Sequence, residues 1–236
     1  MKRKALHKNK WPIIATAAIG LIAIAALCFF ASSAWTEPRF EDRVRRYIKD
    51  KYGFDVVFNY VADMNDWPLG WNADYIADVS YTGNDYLSFE VFRDYDEAQG
   101  KTAMVDNYST AFWTYVITQD IGGYISEKWP DEFPNGDIVY NLNVPSDLYF
   151  DHRADLEELY EHSYGPVFTL ILPADLDSAG GLPLLEKIYD IMLYIEESAF
   201  IVSTYDFSFD SAQIRFTNAD FGKMTGYGDM LAFREG

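Results

Sequence analysis

The stretch that decides the fold runs from Tyr75 to Val91 and reads YIADVSYTGNDYLSFEV. Apolar side chains alternate with polar ones in both halves, and Gly83-Asn84-Asp85 separates the halves with residues typical of a tight turn. The apolar positions are Tyr75, Ala77, Val79 and Tyr81 in the first half and Leu87, Phe89 and Val91 in the second. Alternation with a period of two around a central turn predicts an antiparallel hairpin that buries one face.

A helix and a strand are predicted directly before this hairpin. Over Pro38–Tyr52 apolar residues recur at every fourth position, Pro38 suits the first turn of a helix, and Gly53 supplies a left-handed stop. Residues Asp55–Val61 are rich in Val, Phe and Tyr, which favours a strand. After the hairpin, Asp94–Gly100 has the composition of a polar turn.

A second helix is predicted after that turn. The residues that show helical spacing are Met104, Tyr108, Phe112 and Tyr115. The spacing predicts a helix up to Gly122-Gly123, with a last turn to Trp129 before Pro130 as the alternative end, and Pro130–Gly136, with two prolines, is expected to be a linker or a long turn. The first unit is therefore predicted to contain a helix, three strands and a helix.

The remaining residues predict a second unit of strands and helices. One strongly apolar segment is typical of the central strand of a sheet, and the tail from Asp220, rich in Gly and polar residues, is expected to pack weakly. The predicted elements are a strand at Ile138–Val144, a helix at Asp151–His162, the central strand at Pro166–Leu172, a helix after Gly180-Gly181, and a hairpin of Ala199–Phe209 and Ala212–Thr217.

The predicted fold class is α+β, with an N-terminal transmembrane helix followed by two small subdomains, each an antiparallel sheet with helices. Residues 1–34 are assigned to a basic cytoplasmic tail and the anchor, residues 35–132 to the first subdomain, and residues 133–236 to the second. A chain of about 200 residues after the anchor suffices for one large domain or two small ones.

The N-terminal segment predicts a single membrane span. Five Lys and Arg residues precede Trp11, and the run Trp11–Ala31 has no charged side chain. As a helix, a run of this length spans about 31 Å, which matches the hydrocarbon core of a bilayer. Because the cations come before the span, we expect the N-terminus in the cytoplasm and the C-terminal ectodomain outside the cell membrane.

Two alternatives to this signal-anchor are open. Ser32-Ser33-Ala34 offers the small residues of a cleavage site after Ala34, although the apolar run is longer than that of a signal peptide and so favours an anchor. Lipid modification at Cys28 is the second alternative, but Leu27 and Ala25 depart from the small residue and the Leu that a lipidation motif has at these positions. In an anchor without lipid modification, Cys28 is expected to be an apolar residue that faces lipid.

The charge of the chain restricts its partners. Residues 35–236 contain 14 Lys and Arg against 37 Asp and Glu, a net charge of −23. Such a field repels nucleic acids and other phosphate polymers, so a nucleic-acid partner is excluded for this part of the chain. The same part has no cysteine, and an exported protein without disulfides suits a Gram-positive bacterium.

No motif in the sequence indicates catalysis or a cofactor. His152 and His162 lie ten residues apart and do not have the spacing of a zinc-binding pair, so exposed histidines are expected. Acidic clusters are the candidates for a metal site, and the alternative for each is a turn or helix-cap carboxylate. The residues concerned are Asp94, Asp96 and Glu97 in one cluster and Asp175 and Asp177 in the other.

An aromatic cluster is the candidate ligand-binding site. Trp67, Trp71 and Tyr75 lie close to Asn65 and Asp66 in the sequence, and aromatic rings beside amides and acids are suited to binding sugars. The alternative is that these rings pack in a core, because a chain without disulfides needs large apolar side chains there.

The residues Arg39–Lys101 resemble the layout of PepSY-type or cystatin-like α+β modules. The basic amphipathic helix that ends in Tyr52-Gly53, the strand Asp55–Val61 and the hairpin Tyr75–Arg93 carry this resemblance, which also includes the anchor. Such modules occur in uncharacterised membrane-anchored exported proteins of Gram-positive bacteria. The resemblance implies a non-catalytic regulatory or binding module and transfers no functional residue.

These observations favour a non-enzymatic, membrane-anchored, extracytoplasmic module for interaction, sensing or regulation. Its expected partners are the membrane, through the N-terminal helix, and a protein or another component of the cell envelope. One alternative is an extracytoplasmic cell-envelope hydrolase that depends on carboxylates, and another is a calcium- or glycan-binding surface protein.

Overall fold

The computed structural model describes residues 37–63, 73–96, 101–130, 133, 137–145, 148–177 and 181–235. The predicted anchor and the alternative cleavage position after Ala34 lie outside these residues. In the ranges that are described, no helix combines the length and the apolar character needed to cross a bilayer.

The first half of the chain forms a four-stranded sheet with a helix across one face. All neighbouring strands are antiparallel, in the order β1-β2-β3-β4. The structure confirms the predicted first helix, the strand after it and the hairpin, in which Ala77 pairs with Val91 and Val79 with Phe89. The elements are α1 (Glu37–Tyr52), β1 (Val56–Asp63), β2 (Ala73–Tyr81), β3 (Asn84–Asp96), β4 (Lys101–Asp106) and α2 (Tyr108–Lys128).

Strand β4 corrects the prediction for this half. Met104 belongs to this strand and not to a helix, and β3 continues to Asp96, three residues into the segment predicted as a polar turn. Asp96 pairs with Lys101, so β3 and β4 form a second hairpin. Of the residues with helical spacing from Met104 to Tyr115, only those from Tyr108 onward belong to a helix, because α2 begins at Tyr108.

Helix α1 holds the first core together. Phe40, Val44 and Ile48 lie on one side of the helix and are at most 3% exposed. They pack on the hairpin face that carries Ala77, Val79, Phe89 and Val91. Burying each such side chain contributes about 1.5–3 kcal/mol, so the four-residue spacing that predicts α1 also explains why it docks.

The second half forms a five-stranded sheet in the order β5-β6-β7-β8-β9. The predicted central strand is confirmed, because β6 lies between β5 and β7. The elements are β5 (Asp137–Asn141), α3 (Leu156–His162), β6 (Val167–Leu172), α4 (Gly181–Glu197), β7 (Thr204–Phe209), β8 (Gln213–Thr217), α5 (Asn218–Phe221), a 3₁₀ helix (Tyr227–Phe233) and β9 (Arg234–Glu235).

The prediction of two antiparallel sheets is wrong for the second half, because β6 and β7 are parallel, with Val167 paired to Thr204 and Leu172 to Phe209. Parallel neighbours need a crossover connection of a dozen or more residues, and the 17 residues of α4 provide it. The side chains of α4 that are buried in the second core are Leu185, Ile188, Ile191, Met192 and Ile195.

The C-terminal tail packs well, contrary to the expectation from its composition. Phe221 is 4% exposed and Met230 is completely buried in the second core. Thr217 and Asp220 form a capping box at the start of α5, and β9 pairs with β8 at the edge of the sheet. Two apolar anchors in an otherwise polar segment are therefore enough to fix it.

Helix α2 contributes to both cores. Its first residue, Tyr108, is buried with the first sheet, whereas Ile117, Ile121 and Ile125 are buried with the second. The chain thus has the predicted α+β class, with two sheets that share one helix. The predicted subdomain boundary between residues 132 and 133 follows this helix and stays a prediction.

Candidate functional site

A cleft lies beside α1, at the edge of the first sheet that is formed by β1. Its volume is about 500 Å³. One wall comes from the start of α1 and the others from β1 and the neighbouring strand β2. The lining residues are Phe40, Glu41, Phe58, Asn59, Tyr60, Val61, Asp63 and Tyr75. We name this site the edge cleft.

Aromatic contacts fix two walls of the edge cleft. The rings of Phe40 and Tyr75 have centroids 5.1 Å apart, which ties α1 to β2. The guanidinium of Arg45 lies 4.7 Å from the centroid of the Phe58 ring, and its Nη1 donates a 2.8 Å hydrogen bond to the carbonyl oxygen of Val56. These contacts hold β1 at a set distance from the helix, so the cleft exists before a ligand enters it.

An irregularity in β1 shapes the open side of the cleft. The pairing of β1 with β2 shifts register between Phe58 and Tyr60, so Asn59 is an inserted residue. Asn59 donates a 2.9 Å hydrogen bond to the hydroxyl of Ser80 and a 3.2 Å bond to a carboxylate oxygen of Asp78. The bulge therefore changes which side chains of β1 point toward the helix and which toward solvent.

Strand β1 exposes three large apolar side chains. Val57 is 53% exposed, Tyr60 48% and Val61 38%. Among the strands that the structure describes, β1 has only β2 as a neighbour, so its outer edge borders the cleft. An exposed edge with large apolar side chains is a surface for contacts with another molecule.

Three polar residues, of which Tyr60 also lines the cleft, lie in one row across the sheet. Tyr60 pairs with Asp78, and Asp78 pairs with Glu90. Burial raises the pKa of Glu90 above its ordinary value, and the negative charge of Asp78 raises it further. Two carboxylates directly opposite each other, about 4.5–5.5 Å apart at Cβ, destabilise a sheet, so this row is a candidate for a chemical role.

One of the three predicted ligand-binding residues lies in the edge cleft. Tyr75 lines it, and the guanidinium of Arg93, which pairs with Tyr75 across β2 and β3, lies 5.7 Å from the centroid of the Tyr75 ring. Trp67 and Trp71 lie outside the described residues, in the connection between β1 and β2. The three-residue aromatic site thus stays a prediction.

The five predicted metal-ligating residues fall in two places. Asp94 and Asp96 belong to β3, where they pair with Ala103 and Lys101, and Glu97 lies outside the described residues. The extended backbone at Asp94 and Asp96 differs from that of a calcium-binding loop, which wraps its ligands around the ion. Metal binding by this cluster stays a prediction.

The other two predicted metal ligands, Asp175 and Asp177, are close together, and both accept hydrogen bonds from other groups of the protein. Asp175 accepts hydrogen bonds from the Ser211 hydroxyl at 2.6 Å and from the backbone N–H of Asp177 at 2.9 Å. Asp177 forms a two-fold contact with Arg234 at 2.6 and 2.7 Å, which lowers the pKa of its carboxyl. Within the described ranges no three acidic, His or Cys residues form a group that could hold a metal. Metal binding by Asp175 and Asp177 stays a prediction.

Most residues of the edge cleft are not predicted from the sequence as a site. The sequence pattern predicts only a strand for Phe58, Asn59, Tyr60 and Val61. The signal was present, because Asn59 interrupts an otherwise apolar and aromatic run, and a polar residue at such a position marks a bulge or an edge.

Comparisons with known proteins do not name a family for this chain. No family model matches it, and no curated protein matches it. A solved structure of a DUF5037 family protein from Ruminococcus gnavus ATCC 29149 is similar over 76% of this chain and 76% of that chain, with 12% identity and a TM-score of 0.42. This similarity is too low to show a shared fold, and the resemblance to PepSY-type or cystatin-like modules stays a prediction.

Proposed function

We propose that this protein is a non-enzymatic, membrane-anchored, extracytoplasmic interaction module that binds its ligand in the edge cleft. The observation that supports this function is the cleft itself, a preformed space of about 500 Å³ beside an exposed aromatic edge strand. Ligand sites are typically concave and lined by apolar and aromatic groups, with a few polar groups that set the orientation. The edge cleft combines five apolar or aromatic lining residues with three polar ones, Glu41, Asn59 and Asp63.

The polar groups of the cleft indicate the chemistry of the ligand. Glu41 and Asp63 contribute carboxylates, which accept hydrogen bonds, and Phe58, Tyr60 and Tyr75 contribute ring faces. A fitting ligand combines an apolar face with hydroxyl or amine donors. A sugar unit of the cell envelope and an extended segment of a partner protein both have these features.

In-cell photocrosslinking tests the proposed site. A photoreactive amino acid in place of Tyr60 is expected to give a discrete adduct with an envelope component. The matched control is the same amino acid in place of Tyr164, which is 77% exposed and lies in the second half of the chain. Adducts of the same kind and yield at both positions, or none at Tyr60, would contradict the proposal.

The cellular location in this proposal is supported by the sequence of residues 11–31, and it has its own test. Protease added to intact cells is expected to digest residues 35–236, because they lie outside the membrane. A cytoplasmic marker protein serves as the control for cell integrity. If the chain survives as well as the marker does, the extracytoplasmic location is wrong.

A carboxylate-dependent hydrolase is the second candidate, because of the pair Asp78 and Glu90. A carboxyl with a raised pKa opposite a second carboxyl suits the acid and base of glycoside hydrolysis. The test is release of soluble sugar from cell-envelope polysaccharide. Turnover that is lost in Glu90→Gln and kept in Asp55→Asn, an exposed acid outside the pair, would favour this candidate over the interaction module.

A further inference from the structure

A second cleft lies on the other side of α1 and has the opposite charge. Its volume is about 230 Å³, and it is lined by residues of α1, β3 and β4. Three of its lining residues are arginines, Arg43, Arg46 and Arg93, against one carboxylate, Asp50. We name this site the arginine cleft. Its charge contrasts with the net −23 of residues 35–236, which have 14 Lys and Arg against 37 Asp and Glu.

Two of the three guanidinium groups are available to a ligand. Arg43 and Arg46 are exposed, and neither forms an ion pair with any residue that the structure describes. In a chain with 37 acidic residues, an arginine side chain would ordinarily be expected to pair with a carboxylate of the same protein. Their position at i and i+3 of α1 places both on the side of the helix that faces the cleft.

The framework around the cleft holds these arginines in place. Tyr47, between Arg46 and Asp50 on α1, donates a 2.6 Å hydrogen bond to the buried carboxylate of Asp106, which locks this turn of the helix. Arg93 is fixed by its strand, where it pairs with Tyr75, and by the Tyr75 ring. Cations on fixed elements lose little freedom when they bind an anion.

We propose that the arginine cleft binds a phosphate group. The planar guanidinium presents paired N–H donors that match two phosphate oxygens, and arginine is the residue that proteins favour for such contacts. A volume of about 230 Å³ admits a phosphate with a small polar substituent but not a folded partner. The net negative charge of the chain repels polyanions, whereas at physiological salt its field falls off within about 8 Å and leaves a small anion in the cleft little affected.

The phosphate has two possible sources with the same chemistry. One is free phosphate or a small phosphate ester, and the other is the headgroup of an anionic phospholipid. The second source agrees with the predicted anchor, because Arg43 follows Ala34 by only nine residues. The proposal itself depends neither on the anchor nor on the edge cleft.

Calorimetric titration of the full chain in a nonionic detergent tests the proposal. The probes are inorganic phosphate and glycerophosphoglycerol, the water-soluble headgroup of phosphatidylglycerol. We expect binding that weakens by at least about tenfold in the double variant Arg43→Gln/Arg46→Gln, because each guanidinium supplies charge-assisted hydrogen bonds. The control Arg215→Gln removes a positive charge from an exposed position in β8 and should bind like the unchanged chain.

Each outcome decides the proposal. Similar affinity for both probes supports a phosphate site for a free ligand, and binding of glycerophosphoglycerol alone supports a lipid headgroup. The proposal is overturned if neither probe binds, or if Arg43→Gln/Arg46→Gln binds as well as Arg215→Gln. Arg43→Lys/Arg46→Lys keeps the charge but loses the paired donors, so an intermediate affinity is expected, and a thermal melt of each variant verifies that it is folded.

Discussion

At the scale of single residues, the buried carboxylate of Asp106 accepts four hydrogen bonds. One of its oxygens accepts hydrogen bonds from the Tyr47 hydroxyl at 2.6 Å and from the Lys51 ammonium at 2.9 Å. The other accepts from the Tyr52 hydroxyl at 2.8 Å and from the backbone N–H of Tyr108 at 2.9 Å. Asp106 therefore joins α1 to the junction between β4 and α2.

Burial keeps the two tyrosine partners of Asp106 in the protonated form that donates a hydrogen bond. Desolvation raises the pKa of Tyr47 and of Tyr52, and the charge of Asp106 raises both further. The Lys51 ammonium also donates to the backbone carbonyl of Phe150. Every donor of this network is thus matched to an acceptor, which is the condition under which a buried charge is tolerated.

We predict that Asp106→Asn strongly destabilises the protein. The amide removes the charge that compensates Lys51, whose side chain is only 8% exposed, so an uncompensated ammonium is left in the interior. Removing one partner of a buried pair typically costs about 3–5 kcal/mol. Urea denaturation measures this loss as a lower unfolding midpoint.

The control for this prediction is Asp55→Asn. Asp55 pairs with Lys49 at the same distance of 2.9 Å, but their side chains are 68% and 51% exposed. Solvent screens such a pair, and its loss costs about 0–1 kcal/mol. Equal losses in Asp106→Asn and Asp55→Asn would show that the buried network contributes nothing special.

His152 carries a pH-dependent contact. Its two ring nitrogens lie 2.7 Å from a carboxylate oxygen of Asp151 and 2.9 Å from one of Glu158, and these hydrogen bonds raise its pKa above the ordinary value of 6.5. A raised pKa in the folded state means that the contact stabilises the fold below the unfolded pKa and that this effect is lost as the pH rises through the folded pKa. We predict that Asp151→Asn and Glu158→Gln each lower the pKa of His152, whereas Glu157→Gln leaves it unchanged. NMR titration of the His152 ring measures these pKa values.

At the scale of elements, local sequence patterns predict the helices and strands whose formation is determined by their own residues. Helix α1 and the hairpin of β2 and β3 were predictable because each buries one face with a single clear period. Strand β4 was not, since its short sequence precedes α2 and Met104 happens to continue the spacing of that helix. The parallel pairing of β6 and β7 depends on contacts between residues more than 30 positions apart, which no local pattern contains.

The edge cleft shows the same limit for a functional site. Tyr75 was predictable as a candidate because it belongs to an aromatic cluster in the sequence. Phe40 and Glu41 were not, because they reach the cleft only when α1 lies across the sheet. The arginine cleft likewise joins Arg43 and Arg46 to Arg93, which is 47 positions further along the chain.

The start of α4 supplies a prediction at this scale. A Cβ atom on Gly181 would lie 1.9 Å from the carbonyl oxygen of Leu176, a backbone atom that cannot move aside. We expect Gly181→Ala to lower the free energy of unfolding by about 1–3 kcal/mol or more, because the helix must shift away from the segment before it. Urea denaturation of this variant measures the loss.

The comparison variant is Gly123→Ala in the interior of α2. A Cβ atom on Gly123 meets no atom of the described residues within 4 Å, and alanine loses less backbone freedom than glycine in a helix. We expect this substitution to raise the stability by about 0.5–1 kcal/mol. If both glycine variants change the stability in the same direction, close approach at Gly181 is not what selects glycine there.

At the scale of the whole molecule, the two sheets are connected through shared apolar packing. The predicted division at residues 132 and 133 separates the sheets but leaves α2 entirely in the first part. If the chain were divided there, Ile117, Ile121 and Ile125 of α2 would be separated from the second core in which they are buried. The second sheet in turn loses three large apolar side chains that are at most 2% exposed.

From this shared helix we predict that the described part of the chain unfolds as one cooperative unit. Ile121→Ala creates a cavity in the second core and should cost about 2–5 kcal/mol. If the two sheets unfold together, the most protected amides of the first sheet lose as much protection from hydrogen exchange as those of the second. Leu182→Ala, at a position that is 56% exposed, should leave both sheets almost unchanged. Loss of protection in β5–β8 alone, with β1–β4 as protected as before, would show instead that the two halves are independent folding units and that α2 does not couple them.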